Sequence, residues 1–322
     1  MLQVEHLTKR YGAVTAVDDL SFEIAGAGVY GFLGPNGAGK STTMNIMTGC
    51  LSATRGTVKI SGYDIYEDPR EAKRRVGYLP EQPPLYLGET PEEYLRFVGE
   101  AKGLRGAELK RQMASVIDET GIGDMKNRRI SALSKGYRQR VGIAQALLGE
   151  PDTVILDEPT VGLDPIQILE IRALIGQLGE SRTVLISSHI LSEVQTMCSR
   201  ILIISHGKLV AFDAPDALEA RLASPGEITV TAETDAASAE ALIAGIDGVS
   251  AVTAVSDSPG RSRLTVSSGG GDIYALSKEI FLAFAASGAA LCELGVKKAS
   301  LEDIFLELTE KEPETGKEAE SA

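Results

Sequence analysis

The sequence predicts an α/β protein built on a buried parallel sheet and followed by a small α+β domain. Short apolar runs without polar alternation recur in the first two thirds of the chain, namely VYGFLG, TVILDE, TVLISSH and RILIIS. Such runs are typical of parallel strands buried on both faces. Helix-like segments lie between them, which favours helices packed around a central sheet. Beyond about residue 225 the order of strands and helices changes, and this change predicts a second domain.

The composition excludes several classes of protein. The 322 residues suffice for two domains, and the formal net charge of −13 lacks the basic surplus of most nucleic-acid binders. We therefore expect no nucleic-acid partner. Three scattered cysteines indicate neither a disulfide framework nor a metal site, and they fit a reducing cytoplasm. No signal peptide is visible, and the most apolar run, at residues 280–292, is too short to span a bilayer.

Two amphipathic helices without an intervening strand are predicted between residues 83 and 129. Thr90 and Pro91 resemble a helix cap followed by proline in the first turn. This pattern predicts a helical subdomain, at about residues 84–150, inserted into an α/β domain that spans residues 1–222.

The C-terminal part reads strand, helix, strand, strand, helix, strand, and it closes on the short helical segment SLEDIFLEL. This order predicts a ferredoxin-like α+β domain at residues 227–308. The tail at residues 309–322 is rich in Glu, Lys and Ser, which predicts disorder.

A phosphate-binding loop is predicted at GPNGAGKST, residues 34–42, which fits the pattern GxxxxGKS/T between a strand and a helix. Glycines allow backbone N–H groups to turn towards phosphates, and the helix N-terminus favours an anion. Lys40 is expected to reach the β- and γ-phosphates, and the hydroxyl of Ser41 to bind Mg²⁺. The predicted nucleotide-binding positions of this loop are Gly34, Asn36, Gly37, Ala38, Gly39, Lys40, Ser41 and Thr42.

A second motif, TVILDEP at residues 153–159, ends an apolar strand with two carboxylates. Ligands bind at the carboxyl ends of strands in open α/β sheets. Asp157 is therefore expected to hold Mg²⁺, directly or through water, and Glu158 to polarise the attacking water. Alone, the pair could be an acidic turn that ends a strand. Its occurrence together with the phosphate-binding loop favours the chemical interpretation.

These two motifs leave kinases, GTPases, helicases and transport ATPases open. Three further segments decide between these classes of protein. They are LSKGYRQR at residues 133–140, GLDP at 162–165 and LISSHIL around His189. With them, the first 220 residues or so resemble the ATP-binding-cassette (ABC) family, whose motifs occur here in the same order. The resemblance implies a P-loop NTPase fold, in which a cassette combines a RecA-like core with a helical subdomain. It also implies ATP and Mg²⁺ as cofactors.

The resemblance implies roles for further residues. Tyr11 matches the aromatic side chain that stacks on adenine, and Asp164 matches a residue at the dimer interface. Gln82 matches the glutamine that senses Mg²⁺ and water, and His189 the switch histidine that contacts the γ-phosphate. Each could by itself be an ordinary loop, turn or helix-start residue, and only their common order favours the functional interpretation. The implied catalytic residues are Glu158, His189, Gln82 and Lys40, and the implied metal ligands are Ser41, Gln82 and Asp157.

The segment LSKGYRQR departs from the family's usual LSGGQ at Lys135 and Tyr137, whereas Ser134 and Gly136 are kept. The resemblance implies that Ser134 and Gly136 face the γ-phosphate of an ATP held by a second cassette. The working unit is then a dimer, either a homodimer, which we favour, or a pair with a close relative. Lys135 could bring a positive charge near that ATP or point to solvent, and we favour solvent.

The segment YLPEQPPLY and the appended domain resemble ABC-2-type export ATPases, such as drug-resistance and gliding-motility ATPases. This resemblance implies an ATP-hydrolysing subunit that energises export through a separate membrane permease. It would lie in the cytoplasm, peripherally on the inner face of the membrane. The permease is expected to dock beside residues 82–93, where Leu85, Tyr86 and Leu87 are candidate contacts, although these side chains could instead pack within their own subdomain.

Two alternatives differ in function from this interpretation. A soluble ABC ATPase acting on ribosomes or DNA would normally carry two cassettes or long coiled coils, and this acidic chain has neither. A regulatory cassette without hydrolysis is disfavoured by the intact pair Asp157 and Glu158 and by His189.

Overall fold

The computed structural model describes residues 1–222, 226–270 and 272–297, and it forms two compact units that meet in sequence between Pro215 and Asp216. The predicted closing helix SLEDIFLEL and the tail at 309–322 lie outside the described residues. The strands of the first unit are β1 (Leu2–Tyr11), β2 (Val14–Ile24), β3 (Gly28–Leu33), β4 (Arg55–Ile60), β5 (Tyr63–Asp64), β6 (Val76–Leu79), β7 (Thr153–Leu156), β8 (Thr183–Ser188), β9 (Arg200–Ser205) and β10 (Lys208–Asp213).

The helices of the first unit connect these strands. They are α1 (Lys40–Met47), α2 (Pro69–Arg74), α3 (Pro91–Ala101), α4 (Gly106–Glu119), α5 (Lys135–Leu147), α6 (Pro165–Gly179) and α7 (Leu191–Met197), with a short 3-10 helix at Ile130–Ala132.

The central sheet has the strand order β10-β9-β3-β8-β7-β6. Its strands are parallel except for β10, which runs antiparallel to β9. The side chains of β7 and β8 are buried along both strands, which explains their apolar runs without alternation. The predicted α/β fold is thus confirmed.

A second sheet of the first unit is antiparallel, with the order β2-β1-β4-β5. The sequence pattern did not predict this sheet. A tight turn between Tyr11 and Val14 joins β1 to β2, and Gly12 adopts a positive φ of 58° in it. Leu2 and Val4 of β1 share one buried cluster with Met44 of α1 and Phe32 of β3. Helix α1 is therefore packed into a core that both sheets line.

A helical region lies between β6 and β7 and contains α3, α4 and α5. Thr90 caps α3 by accepting a hydrogen bond from the Glu93 backbone N–H at 3.3 Å, and the Glu93 carboxylate accepts one from the Thr90 N–H at 2.9 Å. Pro91 occupies the first turn. This reciprocal capping box satisfies backbone donors that the helix itself leaves without partners.

The second unit begins within α8 (Pro215–Leu222) and continues, in its described residues, as an antiparallel sheet with two helices. Its sheet order, β12-β13-β11-β14, is that of a ferredoxin-like fold, as predicted. Ile280 and Phe284 are fully buried in a core with Val230 and Leu264 of the sheet. The elements after α8 are β11 (Glu227–Ala232), α9 (Ala236–Ile243), β12 (Val249–Ser258), β13 (Arg261–Ser268), α10 (Ile273–Ser287) and β14 (Leu291–Lys297).

Within the ranges that the structure describes, no helix is both long and apolar enough to cross a lipid bilayer.

The C-terminal end of α5 is held by Lys102, which follows α3. Its ammonium donates to the carbonyl oxygens of Gln145, Ala146 and Leu148 at 3.0, 3.3 and 2.6 Å. Helix C-termini leave carbonyls without intrahelical partners and carry partial negative charge, so a cation is favourable there.

We predict that Lys102→Met lowers the free energy of unfolding by about 1 kcal/mol, because the three carbonyls lose a charged donor. The measurement is urea unfolding followed by circular dichroism. Lys110→Met, which removes an exposed lysine from α4, is the matched control and should leave the urea midpoint unchanged. Equal midpoints for the two variants would contradict a capping role for Lys102.

Candidate nucleotide site

The predicted phosphate-binding loop connects the carboxyl end of β3 to the N-terminus of α1. Gly39, the residue before α1, has a φ of 101°, and a Cβ at this position would collide with the carbonyl oxygen of Ala16. Only glycine fits both the backbone conformation and this close approach. No side chain caps α1. Its first turn is therefore suited to bind an anionic ligand.

A cavity of about 310 Å³ lies over this loop. It brings the predicted loop residues together with Glu158 and His189, which are more than a hundred residues away in sequence. Gly34 and Ala38 are buried within the loop and do not line the cavity. The lining residues are Ala16, Asn36, Gly37, Gly39, Lys40, Ser41, Thr42, Glu81, Glu158, Val161 and His189.

Lys40 is 7% exposed and supplies the positive charge of the cavity. Its ammonium donates to the carbonyl oxygens of Gly34 at 2.7 Å and Pro35 at 3.2 Å. Burial lowers the pKa of Lys40, and the nearby carboxylates of Glu158, Asp157 and Glu81 oppose that shift. A helix N-terminus, a buried ammonium and the hydroxyls of Ser41 and Thr42 are groups that bind phosphates. The cavity therefore fits a nucleotide with a phosphate chain.

The two predicted carboxylates follow β7 but differ in environment. Asp157 is 3% exposed, and its carboxylate accepts a hydrogen bond from the Ser187 hydroxyl at 2.5 Å. The Glu158 backbone N–H donates to the same hydroxyl at 2.8 Å. Glu158 has a φ of 49°, a left-handed conformation that is costly for a glutamate and that tends to occur at functional sites. This conformation directs the chain so that the Glu158 side chain lines the cavity.

His189 follows β8 and contacts Glu158. Its Nδ1 lies 3.1 and 3.0 Å from the two carboxylate oxygens of Glu158. The imidazole is exposed, whereas the Glu158 side chain is largely buried. The structure thus pairs the predicted general base with the predicted switch histidine at the edge of the phosphate-binding cavity.

Gln82 and Tyr11 do not line this cavity. Gln82 lines a neighbouring cavity of about 450 Å³, to which Glu81 and Val161 also contribute. Glu81, which no motif predicted, is thus common to both cavities. Tyr11 is 50% exposed at the end of β1, with the Lys9 ammonium 5.1 Å from its ring centroid.

Ser134 and Gly136 begin α5, outside the cavity of their own phosphate-binding loop. Ser134 caps the helix by accepting a hydrogen bond from the Tyr137 N–H at 3.3 Å. The Tyr137 hydroxyl donates to Asp124 at 2.9 Å, which ties α5 to the loop after α4. Lys135 is exposed and lines the cavity of Gln82.

Asp164 also lies outside the phosphate-binding cavity. It caps α6 by accepting a hydrogen bond from the Gln167 N–H at 2.9 Å. The side chain of Gln167 packs so closely on Gly136 that a Cβ there would lie 2.8 Å from it. Gly162, before Asp164, faces the Lys135 ammonium, which a Cβ at Gly162 would strike. The first turns of α5 and α6 are therefore in direct contact.

Comparison with known proteins identifies the family. The family model ABC_tran, described as ABC transporter, matches residues 17–161. The linearmycin resistance ATP-binding protein LnrL of Bacillus subtilis (strain 168) is 33% identical over 314 residues, which covers 96% of this chain and 98% of LnrL. The chain belongs to the ABC transporter family. It is an ATP-binding subunit of the cassette type and an ATPase, as the sequence predicted.

Two further comparisons agree with this assignment. The bacitracin transport ATP-binding protein BcrA of Bacillus licheniformis is 39% identical over 212 residues, covering 65% of this chain and 68% of BcrA. A solved dimeric structure of a bacterial ABC transporter cassette superposes with a TM-score of 0.60 and 26% identity, covering 66% of this chain and 98% of that one. The solved cassette is thus matched over almost its whole length, and the match takes in about two thirds of this chain.

We predict that Gly39→Ala lowers both the melting temperature and the affinity for ATP. The positive φ costs an alanine about 1–2 kcal/mol, and the new methyl group also strikes the Ala16 carbonyl. Gly37→Ala is the matched control, since Gly37 also has a positive φ, of 85°, but a Cβ there meets no protein atom within 4 Å. Thermal melting should show the larger loss for Gly39→Ala, and equal losses would refute the steric explanation.

Proposed function

We propose that this chain hydrolyses ATP to energise export through a separate membrane permease of the ABC-2 type. The observation that carries the proposal is the convergence of Lys40, Glu158 and His189 on one cavity. Two relatives are named for linearmycin resistance and for bacitracin transport, which supports export as the direction. The chain would then act in the cytoplasm, on the inner face of the membrane.

The residues that line the cavity would have different roles, together with Asp157 and Gln82, which do not line it. Lys40 and the first turn of α1 would bind the phosphates. Within the described residues no cluster of three or more His, Cys, Asp or Glu side chains could hold a metal by itself. Mg²⁺ is commonly bound by one or two protein ligands together with substrate phosphates, and Ser41 and Asp157 fit that role, with Gln82 as a further candidate. The bound ion would neutralise phosphate charge.

Glu158 is the proposed general base. Its carboxylate would take a proton from the attacking water, which is the role expected of an acceptor placed beside the phosphates. His189 holds that carboxylate through Nδ1 at 3.0 Å and would reach the γ-phosphate from the same edge of the cavity. The left-handed backbone of Glu158 aims the carboxylate into the cavity and so contributes to this arrangement.

The same geometry supports a head-to-tail dimer of this chain. Ser134 and Gly136 present a helix N-terminus, which favours an anion, yet they lie outside the cavity of their own phosphate-binding loop. Each nucleotide would therefore lie between the loop of one chain and the Ser134 segment of its partner. Asp164, which caps the neighbouring helix α6, would lie at the same interface.

An exposed apolar patch, formed by Tyr86, Leu87 and Phe97, is the proposed permease contact. All three side chains are about half exposed, and the rings of Tyr86 and Phe97 lie 5.3 Å apart. Tyr94 supports the patch from the buried side, 5.8 Å from Tyr86. Phe97 lies on α3 and Tyr86 in the loop before it, and exposed aromatic side chains are typical of interaction surfaces. Leu85 is half-buried and lines the adjoining cavity of Gln82.

We predict that Glu158→Gln binds ATP but loses turnover by about 10²–10⁴-fold, because the variant lacks a proton acceptor. Size-exclusion chromatography with ATP should show a stable dimer. Glu180→Gln, at the exposed end of α6, is the control and should hydrolyse ATP normally. Wild-type turnover in Glu158→Gln would exclude Glu158 as the base.

Mixing two inactive variants tests the dimer. Ser134→Arg should bind ATP and fail to hydrolyse it, since the arginine blocks the partner's site. A mixture of Ser134→Arg with Glu158→Gln contains dimers in which one of the two sites is intact, so up to about a quarter of the wild-type activity should return. A mixture that stays inactive while the chains still exchange would contradict the head-to-tail arrangement.

We predict that the double variant Tyr86→Ser, Phe97→Ser no longer binds the permease. The assay is co-expression with a membrane protein of about six apolar spans of ~20 residues encoded next to this chain, followed by co-purification in detergent. Phe281→Ser removes an equally exposed aromatic ring from α10, and this control variant should still co-purify with the membrane protein. If both variants co-purify equally, the patch is not the docking surface.

A further inference from the structure

A buried carboxylate that no motif predicted lies behind the pair formed by Glu158 and His189. Glu193, in the first turn of α7, is 5% exposed. It stands four residues after His189 in sequence, and it does not line the nucleotide cavity. A carboxylate is rarely buried without partners, because the loss of hydration costs several kcal/mol. The partners of Glu193 therefore indicate what it does.

Two of those partners belong to the segments that carry the catalytic pair. The Thr160 hydroxyl donates to Oε2 of Glu193 at 2.7 Å, and Thr160 stands two residues after Glu158. The Ser188 hydroxyl lies 3.4 Å from the same oxygen, and Ser188 immediately precedes His189. Both hydroxyl-bearing residues are buried. One carboxylate oxygen thus bridges the loop after β7 and the end of β8.

The other oxygen faces a third segment. Oε1 of Glu193 is 3.9 Å from Nη2 of Arg172, on α6. This ion pair offsets the buried negative charge, and the Thr160 hydroxyl supplies a charge-assisted hydrogen bond. Both oxygens of the carboxylate are therefore held by contacts. The carboxylate can in turn fix the positions of Thr160 and Ser188.

A second set of hydrogen bonds joins the end of β7 to the end of β8. The Ser187 hydroxyl binds Asp157 and accepts from the Glu158 N–H. Ser187 and Glu193 thus both connect the residues after β7 with the end of β8. Such support is what a left-handed glutamate requires, since strained conformations persist only where surrounding contacts hold them.

We propose that Glu193 is a positioning residue that holds His189 against Glu158 for ATP hydrolysis. It acts through the Thr160 and Ser188 hydroxyls and does not itself touch the nucleotide. The proposal rests on the roles proposed above for Glu158 and His189. It concerns the chemical step only, because the phosphate-binding loop makes no hydrogen bond to Glu193 in the described part of the chain.

Kinetics of the full chain provide the first test. Glu193→Ala should lower kcat by about 10–100-fold, because small misplacements of catalytic groups slow the chemical step. KM for ATP and equilibrium ATP binding should stay within about twofold, because Glu193 does not touch the nucleotide. Glu193→Gln keeps the shape and an acceptor oxygen, so it should recover most of kcat even if Glu193→Ala folds poorly.

Thr160→Val tests whether the hydrogen bond between Thr160 and Glu193 accounts for the fall in kcat expected of Glu193→Ala. It removes one hydrogen bond to Glu193, so kcat should fall in the same direction. The double variant with Glu193→Ala should be no slower than the slower single variant, because both changes remove one interaction. Additive losses would overturn the bridge as the explanation.

A spectroscopic readout separates positioning from general destabilisation. The chain contains only three histidines, His6, His189 and His206, so ring-labelled histidine gives few NMR signals. The His189 signal, assigned with His189→Gln, should shift in Glu193→Ala, whereas those of His6 and His206 should not. Wild-type kcat in Glu193→Ala, or an unmoved His189 signal, would overturn the proposal. Wild-type turnover in Glu158→Gln would instead refute the proposed roles of the catalytic pair, independently of the NMR result.

Discussion

Strand β8 pairs with β3 on one side and with β7 on the other, and the nucleotide site depends on this pairing. Leu33 lies opposite Ser188, and Leu156 lies opposite Ile186. All three strands run in the same direction, so the residues that follow them emerge at one edge. The backbone hydrogen bonds between these strands therefore bring together the phosphate-binding loop, Asp157, Glu158 and His189.

Below that edge, the site rests on buried polar contacts. Ser187 joins Asp157 to the backbone of Glu158, and Glu193 joins Thr160 to Ser188. Each of these groups would be costly to bury alone, and each is satisfied by another. This layer fixes the orientation of its groups, because hydrogen bonds are directional. It explains how a glutamate in a left-handed conformation is kept in place beside the phosphate-binding cavity.

Helix α5 links the ATP-binding core to the helical region, and both of its ends are held. Ser134 caps the N-terminus, and Lys102 binds carbonyls at the C-terminus. Its first turn packs on that of α6 through Gly136 and Gln167, and Arg140 forms an ion pair with Glu170 at 2.8 Å. A displacement of the helical region would therefore move the first turns of α5 and α6 together, and with them Ser134 and Asp164.

The sequence by itself determined the α/β class, the loop from residue 34 to 42, the carboxylates of Asp157 and Glu158, and the ferredoxin-like order of the last strands. These features are local: they depend on periodicity and on short motifs, which neighbouring residues specify. Only the tertiary structure decided that Glu81 lines the phosphate-binding cavity while Gln82 lines the next one, and that Glu193 bridges Thr160 and Ser188. The antiparallel sheet of β1, β2, β4 and β5 was likewise not foreseen. The physical reason is that such contacts join segments far apart in the chain, and strand pairing, which no single segment encodes, sets which of them meet.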